Sequence, residues 1–151
     1  MANTQAMCTS FKGELLVGHH NFGTGVIRAA TTADTFKAAL YLASATVNAA
    51  TTAYSATDEV SGTGYTAGGV TVTFGTAPST SGTTAFVTPS ASISYSSVTL
   101  STAFDAVLIY NSTQSNKAVS VHTFGSQTVT AGTFTLTMPV NDASTGLIRL
   151  A

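Results

Sequence analysis

The strongest constraint in this chain is a period of two. In TFKAALYLA (35–43), Phe36, Ala38, Leu40 and Leu42 fall on one face, and alternation over that length reads as a strand. GVTVTFG (69–75) places Val70, Val72 and Phe74 together. ASISYSSVTL (91–100) sets Ile93 and Tyr95 on one side, then restarts on Val98 and Leu100 with the phase shifted, as a bulge would do. FDAVLIYN (104–111) is a continuous apolar run, the mark of a central strand buried on both faces. AVSVHTF (118–124) offers Val119 and Val121 with Ser120 and His122 opposite. In SQTVTAGTFTLTMP (126–139), Val129 precedes and Phe134, Leu136 and Met138 follow Ala131-Gly132, which reads as a hairpin turn there. Pro139 cannot donate to a ladder, so that strand stops by then or runs along an edge. GLIRLA (146–151) supplies the last strand. About eight short strands separated by Gly, Ser and Pro predict an all-β fold, an antiparallel β-sandwich with the jelly-roll as one form of it.

Composition narrows the surface. Charged residues are 7% of the 151, against about a quarter in an ordinary soluble domain. Thr, Ser, Ala and Gly take the positions where charges would stand. Five cations are scattered at Lys12, Arg28, Lys37, Lys117 and Arg149, and the formal net charge is −1. Nucleic-acid binding needs clustered Lys and Arg to release counterions, so that class is not expected. No apolar run reaches the roughly 18 residues of a bilayer span, so no membrane partner is expected either. Cys8 is the only cysteine, and the opening residues show no basic leader followed by a long apolar run, which together fit synthesis in a reducing cytoplasm. A surface this poor in charge favours a component of an assembly, whose neighbours cover it.

Two regions lie outside the strand pattern. Residues 1–30 form an N-terminal arm or short extension ahead of a sandwich domain at 31–151. TSFKGELLVGHHNF (9–22) fits a short helix with Phe11, Leu15 and Leu16 on one side, and equally a strand with Phe11, Leu15 and Val17 in register. The arm either reaches a neighbouring subunit or packs on its own domain. The second region is YSATDEVSGTGYTAGG (54–69), an acidic pair beside four glycines. Its glycines miss the dinucleotide fingerprint, since Ala67 stands where the third glycine belongs and a strand follows instead of a helix. It has no phosphate-loop lysine and no calcium ladder. It reads as a long ordered connection at one end of the sandwich, with a protein as its partner.

No constellation points to catalysis. Of the six carboxylates, Glu14, Asp34, Asp58, Glu59, Asp105 and Asp142, only Asp58 and Glu59 adjoin, and neighbours in extended chain point to opposite faces. His19, His20 and His122 have no metal-ligand spacing and read as exposed polar positions. Serine is abundant, but no G-x-S-x-G elbow is present. No catalytic residue, metal or cofactor is therefore assigned.

Five segments in this order, NTQAMCTSFKGELLVGHHNFG, DTFKAALY, TTAYSATDEVSGTGYTAGG, VHTFGSQTVTAGTFTLTMP and TGLIRLA, resemble a family of small virion structural proteins of tailed bacteriophages. The resemblance spans nearly the whole chain. It implies a non-enzymatic virion protein, a capsid cement or decoration protein bridging capsid subunits at the virion's capsid surface after synthesis in the host bacterial cytoplasm. The partners it implies are the major capsid protein and copies of the chain itself, as a dimer or trimer. The arm and the glycine-rich connection supply the expected interface: Phe11, Lys12, Leu15, Leu16, Phe22, Tyr54, Asp58, Glu59 and Tyr65. The alternative is a tail, neck or fibre component attaching to the host surface, with Tyr54, Tyr65 and Tyr110 stacking on glycans. A glycan or peptide hydrolase is the third and weakest class.

Overall fold

The computed structural model describes residues 3–8, 11, 15, 19–20, 22–23, 33–82 and 84–150. They form an all-β fold of two antiparallel sheets, consistent with a β-sandwich. The larger sheet has the order β1-β7-β6-β2-β3, built from β1 (Ala6–Met7), β2 (Phe36–Leu42), β3 (Val70–Val72), β6 (Ile93–Asn111) and β7 (Lys117–Leu136). The smaller has the order β4-β5-β8, from β4 (Ser79–Ser81), β5 (Thr84–Val87) and β8 (Ile148–Leu150). A jelly-roll divides its strands four and four, and the five-and-three division here gives that form no support.

β2 sits between β6 and β3. Its apolar positions are buried on both faces, with Phe36, Ala38 and Leu40 on one and Ala39 and Tyr41 on the other. The run 106–111 of β6 is likewise buried throughout, as its unbroken apolar sequence predicts. Phe36 anchors an aromatic group in which Phe22 stacks on it at 4.7 Å and Phe74 meets it edge-on at 5.0 Å.

The sequence alternates in two blocks between 93 and 111, and these prove to be one strand of 19 residues. It cannot be straight. Tyr95 Oη donates to Ala38 O at 2.9 Å, while Ala38 itself pairs with Ile109 further along the same strand. The extended chain between Tyr95 and Ile109 would span roughly 46 Å, so β6 folds back over the sheet it belongs to. β7 follows it as a two-stranded ribbon. The bend lies where the register slips, between Leu100 and Ala106 of β6 opposite Thr123 to Val129 of β7. Such slips, each leaving extra residues on one strand, are how sheets turn corners. Every slip on β6 from Tyr95 to Ala106 is answered by an equal slip on β7, so Ile93↔Leu136 and Ile109↔Ser120 keep one register.

The hairpin expected at Ala131-Gly132 is one of these slips instead. β7 runs through it, with Val98 paired to Gly132 and Leu100 to Val129. The left-handed residue is Ala131, φ 46°, not the glycine beside it, and Ala131 N is diverted to Thr99 Oγ1 at 3.0 Å. Alternation on either side of a bulge looks like two strands around a turn, which explains the misreading. A hairpin the sequence reading overlooked joins β4 to β5 around Gly82, φ 57°.

The described part of residues 1–30 is built into the domain. β1 pairs with β7 through Ala6↔Val121 and Met7↔Ser120. Asn3 Nδ2 donates to Leu42 O and to Asp105 Oδ1, and Val47 N donates to Asn3 Oδ1. Cys8 and Phe11 are fully buried. Phe11 and Leu15 have helical backbone, which favours the helical of the two readings at those positions.

Because Ala131 bears a left-handed φ that costs an L-residue about 1 kcal/mol, Ala131→Gly is expected to stabilise the protein by about 0.5–1 kcal/mol in urea unfolding. Gly132→Ala should show no comparable gain. The reverse ranking would restore the turn at glycine.

Candidate functional site

The acidic, glycine-rich stretch lies across the molecule and not at its end. Tyr41 and Glu59 form an isolated β-bridge, and Thr63 and Thr99 form another. The segment therefore runs from the open edge of β2 to the edge of the folded-back half of β6 and ties the two layers together. β3 pairs with β2 only as far as Ala38, which leaves the next ladder groups of β2 in need of partners. Leu42 N donates to Asp58 O at 3.0 Å and Val60 N to Leu40 O at 3.0 Å. Leu40 N donates to Tyr65 Oη at 3.0 Å, and Ala38 O receives Tyr95 Oη. Two phenol hydroxyls thus stand in for a missing strand.

Glu59 holds this arrangement. Its Oε2 accepts from Tyr54 Oη at 2.7 Å, and its Oε1 accepts from Tyr65 Oη at 2.7 Å and Gly68 N at 2.8 Å. The carboxylate is buried, and three donors offset the desolvation that burial imposes. Gly68 O accepts from Tyr110 Oη at 2.8 Å, and Tyr41 Oη donates to Ser55 O. Tyr54 stacks on Tyr110 at 4.7 Å and Tyr65 on Tyr95 at 5.9 Å. All five tyrosines of the chain are thereby gathered around one carboxylate. The glycines serve close approach: a Cβ at Gly62, Gly64 or Gly69 would run into the carbonyl oxygens of Thr99, Ser97 and Ala38.

The residues expected at an interface separate into two groups. Tyr54, Glu59 and Tyr65 come together, but inward, as the cage just described. Asp58 is exposed, in a turn with φ 60°, while Glu59 beside it is buried. Phe11 and Phe22 are buried, with Phe22 stacked on Phe36. Leu15 is half-buried beside an apolar cavity of about 110 Å³ that Ala85, Val87 and Ile148 also line. Burial in the chain's own core withdraws Phe11, Phe22 and Glu59 from any partner. Lys12 and Leu16 lie outside the described residues.

Polar groups elsewhere are also engaged within the chain. Asp34 accepts from Asn111 Nδ2 at 2.8 Å and Gln114 Nε2 at 3.3 Å. Asp142 Oδ1 accepts from Ser144 N, Ser144 Oγ and Thr145 N, each at 2.7 Å, and these bonds hold its carboxyl well below the usual carboxylate range. His20 and His122, expected on the surface, are respectively buried and half-buried. His20 Nδ1 meets Asn111 Nδ2 at 3.2 Å. His122 Nε2 lies 2.9 Å from Ser120 Oγ beside an apolar cavity of about 130 Å³, where burial pulls its pKa down to about 4. Among the described residues, no three His, Cys, Asp or Glu side chains gather in a way that could hold a metal ion.

The sequence reading missed Tyr41, Tyr95 and Tyr110 as members of the cage. A signal was present in the coincidence of so few acidic residues with five tyrosines in a chain that has no tryptophan. Comparison with protein-family models, curated proteins and solved structures finds no match to this chain.

Glu59→Ala would leave two phenols and the Gly68 amide without an acceptor, and is expected to cost about 3 kcal/mol in chemical denaturation. Tyr54→Phe, which removes one donor, should cost about 1 kcal/mol. If both variants unfold like the parent, the cage contributes nothing. The pKa shifts set the pH range of stability. Burial, partly opposed by the hydrogen bond to Ser55 and reinforced by the nearby Glu59, leaves Tyr41 raised from 10.0 to about 12. Burial first, then Glu59, raises Tyr54, Tyr65, Tyr95 and Tyr110 as well, with the backbone bond to Leu40 partly opposing this at Tyr65. A raised tyrosine pKa gives stability that is complete below pH 10.0 and lost as pH climbs through the folded value. His122 acts at the other end: the unfolded imidazole takes a proton near 6.5 and the folded one near 4, so stability declines as pH falls across that interval. The expected profile is a plateau from about pH 6.5 to 10 falling on both sides, read by thermal melts alongside tyrosinate absorbance.

Proposed function

We propose that this chain is a non-enzymatic structural protein of a tailed-bacteriophage virion, acting as a capsid cement or decoration protein that bridges capsid subunits. The observation that carries the proposal is the fate of the polar side chains. Asp34, Glu59, Asp105 and Asp142 are each bound by donors of the chain itself, and the five tyrosine hydroxyls are all occupied. Chemistry requires groups held ready for a substrate, whereas here they brace a β framework. The outward positions are mostly Thr, Ser, Ala and Gly, suited to broad contact with neighbouring subunits. Cement action needs no single tight site, because many weak joints act together on one shell. The major capsid protein and further copies of this chain are the partners in this reading.

Attachment to host glycans through exposed tyrosines loses its main support from the sequence. Tyr110 is buried against Tyr54, and Tyr95 is buried against Tyr65, so these ring faces are taken by one another.

Cryo-EM of virions carrying this chain is the direct test. The expected result is density for the sandwich at the joints between capsid subunits, repeated over the head. Density found only in the tail or neck would overturn the cement assignment.

A further inference from the structure

We propose that the outer edge of β7, from Thr123 to Leu136, is a pairing surface for the same edge of a second copy, joined antiparallel about a two-fold axis. It does not rest on the virion reading, because two copies would pair whether or not a capsid is present.

A sheet edge presents unpaired N–H and C=O groups, and proteins keep such edges short, charged, proline-bearing or covered. Four of the described strands that can form edges follow this rule. β1 has two residues, and β3, β4 and β8 have three each, with Arg149 inside β8. Where β3 leaves β2 open, Tyr65, Tyr95 and the 58–60 backbone fill the gap. β7 differs. Its inner edge is paired with β6 along the whole ribbon. On its outer edge, the described residues that reach it are Thr52 and Ala53, at Ala118 and Lys117, and Ala6, Met7 and Cys8, at Val121, Ser120 and Val119.

The edge also specifies its occupant. Backbone groups in a row are matched by another extended strand. No charged residue and no proline occurs between Ala118 and Met138, so neither charge nor proline repels a strand there. Neutrality matters most for self-pairing, since a two-fold axis sets a residue on one copy against the same segment of the other, and like charges there would oppose. The side chains alternate to suit a shared sheet. Phe134 and Leu136 turn toward the core, and Thr133 and Thr135 turn outward. Two ribbons joined at this edge would continue both layers, with an inner apolar row and an outer hydroxyl row.

The test is the mass of the purified chain by light scattering across a concentration series. A mass twice 15.2 kDa is expected. Thr128→Lys with Thr133→Lys places exposed cations on the edge and should raise the dimer dissociation constant by about a hundredfold, with an unchanged circular dichroism spectrum. Thr57→Lys with Ser61→Lys, exposed positions away from β7, should leave the dimer as it was. Thr130→Cys, also exposed on the edge, should give a disulfide-linked dimer under oxidation. A monomer at every concentration would overturn the proposal. So would a dimer indifferent to the edge lysines.

Discussion

The Glu59 carboxylate is the point on which the architecture turns. A five-stranded sheet with a three-residue strand at one border leaves the middle of β2 open, and an open ladder inside a protein is costly. The solution is a loop and not another strand. One buried anion collects two phenols and an amide, and one of those phenols in turn meets the β2 backbone. The negative charge makes each of these bonds stronger than a neutral pair would be. The segment 54–69 is thus held in place by its own acidic residue, and its neighbour Asp58 is left to solvent.

That lock works because the second layer is already present. Tyr95 arrives at β2 from the folded half of β6, and the Thr63–Thr99 bridge fastens the loop to that half. The bend in the ribbon and the glycine-rich connection are therefore mutually dependent. Compensating slips let the ribbon turn and then return it to its starting register, so that Ile93 and Tyr95 before the bend and Val107 and Ile109 after it are all buried. A slip on one strand alone would have sent every side chain beyond it to the wrong face.

The fold class was readable because period-two alternation is a local property that survives bulges. β2, β3, β8 and the two ends of β6 were visible from their apolar spacing, and the slip after Tyr95 showed as a change of phase. Continuity through a bulge was not visible, since Ala131-Gly132 carries the letters of a turn and only pairing with Val98 and Leu100 shows otherwise. The cage was half legible. Its acidic residue and glycines drew notice, but a buried role for Glu59 depends on tyrosines brought from four separate places in the chain. An aromatic or carboxylate that looks available in sequence is spent once partners distant in sequence arrive, as the burial of Phe11, Phe22 and His20 also shows.

The pairing of β1 with β7 has a consequence for the order of assembly. β6 and β7 are joined by a short turn and can form their ribbon locally, but Ala6 must wait for Val121 and Asn3 for Asp105. Closing so long a loop is slow and is rewarded only after the ribbon exists. Residues 3–8 are thus among the last to be placed. Until the chain has been synthesised as far as Val121, Ala6 and Met7 lack the strand they pair with.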